Sequence, residues 1–201
     1  ESGRLRAMQH DVATHVVSED AKDLSTAKYL GAFDIAYVGR KLVCAAVVME
    51  YPSLKIVEKR TIATDSPMQY IPGYLAFREG PAILQLFYEL EYTPDIIFID
   101  GEGIAHPEKA GLANYVGVEL AKPTIGVTKT VLGDIDGDNI IIDGEVRGAL
   151  VKTKEHANPL CVSPGNLISI ESSVALVKQT IVAPHKKPEP LHIASRLAKA
   201  A

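Results

Sequence analysis

The chain has no tryptophan, only two cysteines and few aromatic residues, 6% in all. Cys44 and Cys161 form no Cys-x-x-Cys pair, which excludes a disulfide framework and the usual zinc spacings. Both lie in apolar runs (Val43-Cys44-Ala45 and Leu160-Cys161-Val162) and read as buried, inert thiols in a reducing compartment, so a cytoplasmic protein is expected. Long apolar runs are also missing: the longest unbroken one, Leu42 to Met49, is far short of the ~18 residues a bilayer span needs, and no membrane partner is expected. The start, Glu1-Ser2-Gly3-Arg4, has no apolar signal core, and residues 1 to about 8 read as a trimmed or added end with no part in the fold. There is no P-loop, no G-x-S-x-G elbow and no dinucleotide fingerprint.

What is present is ordinary for one globular domain of 201 residues: 47% hydrophobic, 23% charged, net charge −4. The charge is uneven. Residues 150–201 carry seven Lys/Arg against three Glu, or +4, so the remainder sums to −8. A basic face beside an acidic centre is what a polyanion and a divalent cation would meet together. Lys152, Lys154, Lys186 and Lys187 are the phosphate-contact candidates.

Residues 1–28 read as a tail and a peripheral helix from Asp11 onward, and residues 29–201 as one catalytic domain. Tyr29–Val38, Lys41–Tyr51 and Leu54–Thr64, joined by turns at Gly39-Arg40 and Pro52-Ser53, predict an antiparallel meander. A Pro-rich loop follows, then a helix with Ile83, Leu86, Phe87 and Leu90 on one face and Pro81 in its first turn. The apolar run Ile96–Ile99 predicts a parallel strand covered on both faces, and a helix from Lys109 to Ala121 and a strand from Thr124 to Val127 complete a β-α-β unit. An acidic hairpin over Asp134–Glu145, a strand Val146–Val151, a loop around Ser163-Pro164-Gly165-Asn166, a helix bearing Ile170, Val174, Val177 and Ile181, and a last helix Leu191–Ala200 follow. The fold class is α/β: a mixed sheet, antiparallel meander plus parallel β-α-β strands, flanked by helices.

Asp34 stands inside the strand Gly31–Tyr37 among apolar residues, where a carboxylate needs a partner or a cation. Asp100 stands where an apolar strand runs into Gly101-Glu102-Gly103, the end of an α/β sheet at which ligands gather; it reads equally as a turn residue or helix cap. Glu79 supplies a third oxygen donor or pairs with Arg78 on the surface. Together the three carboxylates form a hard set suited to Mg²⁺ or Mn²⁺ and a scissile phosphate. His106 is either structural or orients a water or leaving group, and Lys129 either ends a strand in solvent or neutralises phosphate charge. The acidic run from Asp134 to Glu145 resembles a calcium loop but has Asn139 where the sharp turn demands Gly, so it reads as a hairpin. Tyr70-Ile71-Pro72-Gly73 suits a rigid wedge against a displaced base, or a plain turn.

In their order, Asp34, Tyr70–Pro81, Asp100–Pro107, Gly111-Leu112-Ala113, Pro123–Lys129 and Val162-Ser163-Pro164-Gly165 closely resemble the endonuclease V family, from about Tyr29 to Leu197. The resemblance implies a ribonuclease H-like fold and metal-dependent hydrolysis of the second phosphodiester 3′ to a deaminated purine, chiefly inosine, with Mg²⁺ as cofactor and Mn²⁺ as a substitute. The expected partner is inosine-containing DNA, or RNA, and a monomer is expected. Carried over, Asp34, Glu79 and Asp100 become the metal ligands, and His106 and Lys129 assist at the phosphate. Tyr70, Ile71 and Pro72 become the wedge, and Gly73, Leu75, Gly101, Gly103, Gly111 and Leu112 the base pocket. Three positions depart from the family pattern: Gln69 where the wedge begins with Pro, Thr128 for a commoner Ala, and Asn166 for a His that follows Ser-Pro-Gly. Because Asn cannot titrate near neutral pH, Asn166 is expected to alter rate, metal preference and pH profile, and opens the alternative of an inosine- or nick-binding protein with weak cleavage.

Overall fold

A computed structural model describes residues 2–21 and 23–201. Nine strands form one mixed sheet. Tyr29–Val38 (β1), Lys41–Glu50 (β2) and Ile56–Asp65 (β3) make the expected meander, and Ile96–Asp100 (β4) and Thr124–Thr128 (β5) run parallel to β1. Asp134–Asp136 (β6), Asn139–Ile142 (β7), Glu145–Val151 (β8) and Leu160–Asn166 (β9) extend the sheet on the far side, in the order β3-β2-β1-β4-β5-β9-β8-β7-β6.

Strand alternation sorts the core. Leu30, Ala32, Ile96 and Phe98 face one side of the sheet, where Ile170–Gln179 (α4) and Glu189–Ala200 (α5) contribute Leu176, Val177, Leu191 and Ala194. Phe33, Ile97 and Ile99 face the other, under Leu75–Glu89 (α2) and Leu112–Leu120 (α3), which contribute Ile83, Leu86, Leu112 and Val116. With helices on both faces the central strands are apolar throughout, which is why they are legible as continuous runs.

The structure corrects three sequence readings and moves some boundaries. Ser2–His15 (α1) is a helix, with Leu5 and Val12 buried against Phe77 and Ala110, so residues first set aside as a loose end belong to the core. α2 begins at Leu75, which puts Pro81 inside the helix rather than in its first turn and Glu79 on the second turn. The stretch Ser163-Pro164-Gly165-Asn166 is not a loop: it is the end of β9, buried along its whole length and paired with β5. A proline in a central strand lacks a donor for the ladder, and the pairing of β5 with β9 shifts register between Thr124 and Ile125, beside Pro164. The helix expected from Lys109 starts at Leu112, and Ile181 falls beyond α4.

Candidate active site

Two strands bring the acidic centre together. Phe33 pairs with Ile99 in the parallel register of β1 and β4, so Asp34 and Asp100, each the next residue along, end side by side. Both share the parity of Leu30, Ala32, Ile96 and Phe98, and therefore face α5. Asp34 is buried, and its Oδ1 accepts a hydrogen bond from the backbone N–H of Ile35 at 2.8 Å. Burial, and then the neighbouring charge of Asp100, push the Asp34 carboxyl well above the usual carboxylate range, against a hydrogen bond from Ser195 that stabilises its charge.

Glu79 reaches the same region from α2. It is buried, and desolvation pushes its carboxyl up to about 7 despite a hydrogen bond from Tyr37 that acts the other way, with Asp34 and Asp100 adding repulsion. Tyr37 donates to Glu79 Oε2 at 2.5 Å and accepts from Arg78 Nε at 3.1 Å. Because of the hydrogen-bonded Glu79, burial and that negative charge hold the phenol up to about 12. The surface pair of Glu79 with Arg78, one of the two readings the sequence allows, is not formed directly: Tyr37 stands between them.

Asp34 and Asp100 border a cavity of about 740 Å³ at the ends of β1, β4 and β5, with Glu79 outside its lining. Gly73, Leu75, Gly101, Gly111 and Leu112 line it together with Asp34, Asp100, His106, Thr128 and Lys129. Gly103 does not: its N–H donates to Ser163 Oγ at 2.9 Å, and a Cβ there would strike the Pro164 carbonyl, so its part is to let the loop after β4 lie flat on β9. Gly111 approaches the Glu102 carbonyl as closely, and Asn114 fixes that turn by accepting from its N–H at 3.0 Å. Tyr70 and Pro72 stand on the rim, with Tyr70 64% exposed and Ile71 and Gln69 open to solvent beside it.

His106 is tied into backbone on both ring nitrogens. Nδ1 accepts from the N–H groups of Glu108 and Ala110, so Nε2 carries the proton and donates to the Gly73 carbonyl at 3.1 Å. Burial holds the ring neutral. This histidine therefore fixes the position of Gly73, an assignment Gln9 of α1 shares by donating to the same carbonyl at 2.8 Å. Asn166 is placed at the opposite end of the strands from the acids, paired with Thr124 at the start of β5. Its Oδ1 accepts from Val17 N–H at 2.9 Å and its Nδ2 donates to the Gly117 carbonyl at 3.0 Å, so this side chain ties the N-terminal segment and α3 to β9 and touches nothing in the cavity.

Two residues at the acids escaped the sequence reading. Lys187, expected on the phosphate-binding face, points inward with its Nζ 3.5 Å from Asp100 Oδ2 and 3.1 Å from Ser195 Oγ. Ser195, buried on α5, carries no signal in the sequence at all. Burial and the charges of Lys129, Lys187 and Lys154 lower the Lys186 ammonium, and of these lysines Lys129 and Lys187 line the cavity.

Among the described residues no three His, Cys, Asp or Glu side chains converge as a finished metal cage. The donor set nevertheless fits a hard divalent cation: two adjacent carboxylates and a third within electrostatic reach, all oxygen donors, held in mutual repulsion. Tyr37 holds Glu79 and Lys187 holds Asp100 in its place.

A central mixed sheet with a pair of acids at the ends of two parallel strands defines an α/β protein of the ribonuclease H-like class. The endonuclease V family model matches residues 10–196, and the chain belongs to that family. It is 34% identical over 203 residues to endonuclease V of Dictyoglomus thermophilum, covering 96% of this chain and 88% of the relative. The solved endonuclease V of Bacillus subtilis superposes with a TM-score of 0.91 at 27% identity, covering 100% of this chain and 91% of the other. Endonuclease V of Ciona intestinalis, solved with a 24-nucleotide DNA containing an inosine followed by a ribo-adenosine, superposes with a TM-score of 0.88 at 26% identity, over 98% and 96% of the two chains.

Proposed function

We propose that this chain is a metal-dependent endonuclease that recognises inosine in DNA and hydrolyses the second phosphodiester on its 3′ side, leaving 3′-hydroxyl and 5′-phosphate ends, as a step in repair of deaminated purines. The observation that carries the reading is the side-by-side placement of Asp34 and Asp100 at the wall of a cavity large enough for a flipped base. We read residues 29–201 as the catalytic domain and 1–28 as its peripheral support, acting as a monomer in the cytoplasm.

Asp34, Asp100 and Glu79 would hold Mg²⁺, or Mn²⁺ in its stead. Such an ion supplies a Lewis acid for the phosphate and a water of lowered pKa. The chain's own residues do the rest. Lys129 and its neighbours Lys154 and Lys186 draw the phosphate backbone to the acids. Tyr70, Ile71 and Pro72 fill the gap that an extruded base leaves in the stack. Hypoxanthine differs from adenine by an N1–H donor and an O6 acceptor, so peptide groups around Gly73, Gly101 and Gly111 reject adenine by being left unpaired. His106 and Gln9 hold the Gly73 carbonyl for that purpose. The alternative of a binding protein without cleavage rested on Asn166, whose hydrogen bonds are structural.

The test is cleavage of four labelled strands, DNA and RNA each with and without one inosine, by the protein and by Asp100→Ala in Mn²⁺. Cutting of inosine strands alone, one nucleotide beyond the lesion and only by the unsubstituted protein, is the expected result. Equal cutting of control strands would point to a nuclease without base preference, and no cutting of any strand would overturn the reading.

A further inference from the structure

We infer that Lys187 is a built-in second cation, so that this chain takes one divalent metal ion where a paired-metal site takes two. The inference rests on the nuclease reading above and adds to it the number of ions and a further residue at the reacting phosphate. Paired-metal nucleases place two ions ~4 Å apart, one at the attacking oxygen and one at the leaving oxygen, with carboxylates on both sides. Here one side is complete, with Asp34 and Asp100 adjacent and Glu79 behind them. The other side is not. The residue on α5 that faces Asp34 and Asp100 is Ser195, a neutral hydroxyl, and beside it sits the Lys187 ammonium, 3.1 Å from Ser195 Oγ and 3.5 Å from Asp100 Oδ2.

Lys187 is no surface lysine resting against an acid. Its side chain is 17% exposed, and the segment between α4 and α5 is anchored on both sides of it: Ile181 bridges to Pro188, and the Glu189 N–H donates to the Thr180 carbonyl at 2.8 Å. The cation is therefore delivered by backbone geometry, as a bound ion would be by its ligands. Charge closes in the same way: three carboxylates, one divalent ion and one ammonium sum to zero, and a second divalent ion would have to displace Lys187 from Asp100. With nucleic acid bound, the ammonium lies on the side of the acids away from Glu79, placed to meet negative charge growing on the departing 3′-oxygen.

The experiment is a Mn²⁺ titration of the full chain without nucleic acid, read by the electron paramagnetic resonance of free Mn²⁺ and by calorimetry, on the unsubstituted protein, Lys187→Met, Lys187→Gln, Lys187→Arg and Asp100→Asn. One ion is expected for the unsubstituted chain and for Lys187→Arg. Lys187→Met should bind the first ion at least about tenfold tighter and take up a second, while its single-turnover cleavage falls on the order of 10²-fold. Tighter metal with slower chemistry is a pairing that loss of a ligand or of folding does not give, and Lys187→Gln supplies the same readout if the Met variant does not fold. Two ions on the unsubstituted chain, or unchanged number and affinity in Lys187→Met and Lys187→Gln, overturns the inference. Loss of the ion in Asp100→Asn alongside silent Lys187 variants would leave the acid site standing and remove only Lys187; Mn²⁺ binding unaffected by Asp100→Asn would remove both.

Discussion

The hydroxyl of Tyr37 donates to Oε2 of Glu79 at 2.5 Å, joining the end of β1 to the second turn of α2. The bond favours the ionised carboxylate, so it works against burial, which pushes Glu79 up. Tyr37→Phe should let Glu79 rise further above about 7 and make protons stronger competitors for the site. The expected outcome is that the pH at which Mn²⁺ binding is half lost moves upward by about half a unit or more. Calorimetric titrations between pH 5.5 and 8.5 would measure it, and a downward shift would contradict the role given to Tyr37.

Glu79 also sets how metal-free stability depends on pH. Its folded value, about 7, is above its ordinary 4.5, so the folded chain holds the proton more tightly than the unfolded one. The associated stability is fully present below about pH 4.5 and is lost as pH rises through 7, a change on the order of 3 kcal/mol. His106 has the opposite sign: its lowered value costs stability as pH falls below 6.5. Glu79→Gln should therefore raise the metal-free melting temperature at pH 8 and flatten the decline between 4.5 and 7. Thermal melts across that range, with and without Mn²⁺, would show the ion stabilising the unsubstituted chain at pH 8 far more than the variant.

Asn166 holds Val17 and Gly117. Asn166→Ala strands the Val17 N–H and the buried Gly117 carbonyl and should cost about 1–3 kcal/mol in urea unfolding. Its cleavage rate per folded molecule and its pH profile should match those of the unsubstituted chain, as should the pH profile of Asn166→His. A changed profile in either would restore Asn166 to the chemistry.

Tyr70 is exposed on the rim and has no packing to lose. Tyr70→Ala should leave the urea midpoint unchanged and weaken binding to inosine duplexes by about 1–3 kcal/mol, the value of one base–aromatic stack. Fluorescence anisotropy on duplex and single-stranded inosine oligonucleotides would separate a wedge, which matters mainly in the duplex, from a general stacking surface.

Much of the molecule was legible because its signals are local. The meander, the parallel strand ending at Asp100 and the hairpin after Lys129 follow from alternation, apolar runs and turn residues close in sequence. β9 was not, because Pro164 and Gly165 are loop residues by local preference and are held in the strand only when β5 pairs with Pro164 and Asn166 on either side of the register shift. The start of α2 was missed for a related reason: Pro81 suits a first turn, yet the helix already runs for six residues before it. Asp34 and Asp100 announced themselves as a carboxylate among apolar residues and one at a strand end, and Glu79 as a carboxylate near a helix start beside Arg78. Lys187 and Ser195 did not, since a lysine in a basic tail and a serine in a helix mean little until α5 folds back over β1. His106 was visible as a residue but not as a role, because the partners of its two ring nitrogens are backbone groups that no side-chain pattern encodes.

Two glycines of the cavity wall, Gly101 against the Leu112 side chain and Gly111 against the Glu102 carbonyl, leave no space for one added methyl group at either. A wall assembled from peptide bonds in this manner offers mutation nothing to exchange: whatever it recognises is written in the path of the chain, not in the choice of side chain. Drift in the sequence can then retune what enters the cavity only from its edge, at Tyr70, Thr128 or Leu132, while the innermost recognition is inherited unchanged with the fold.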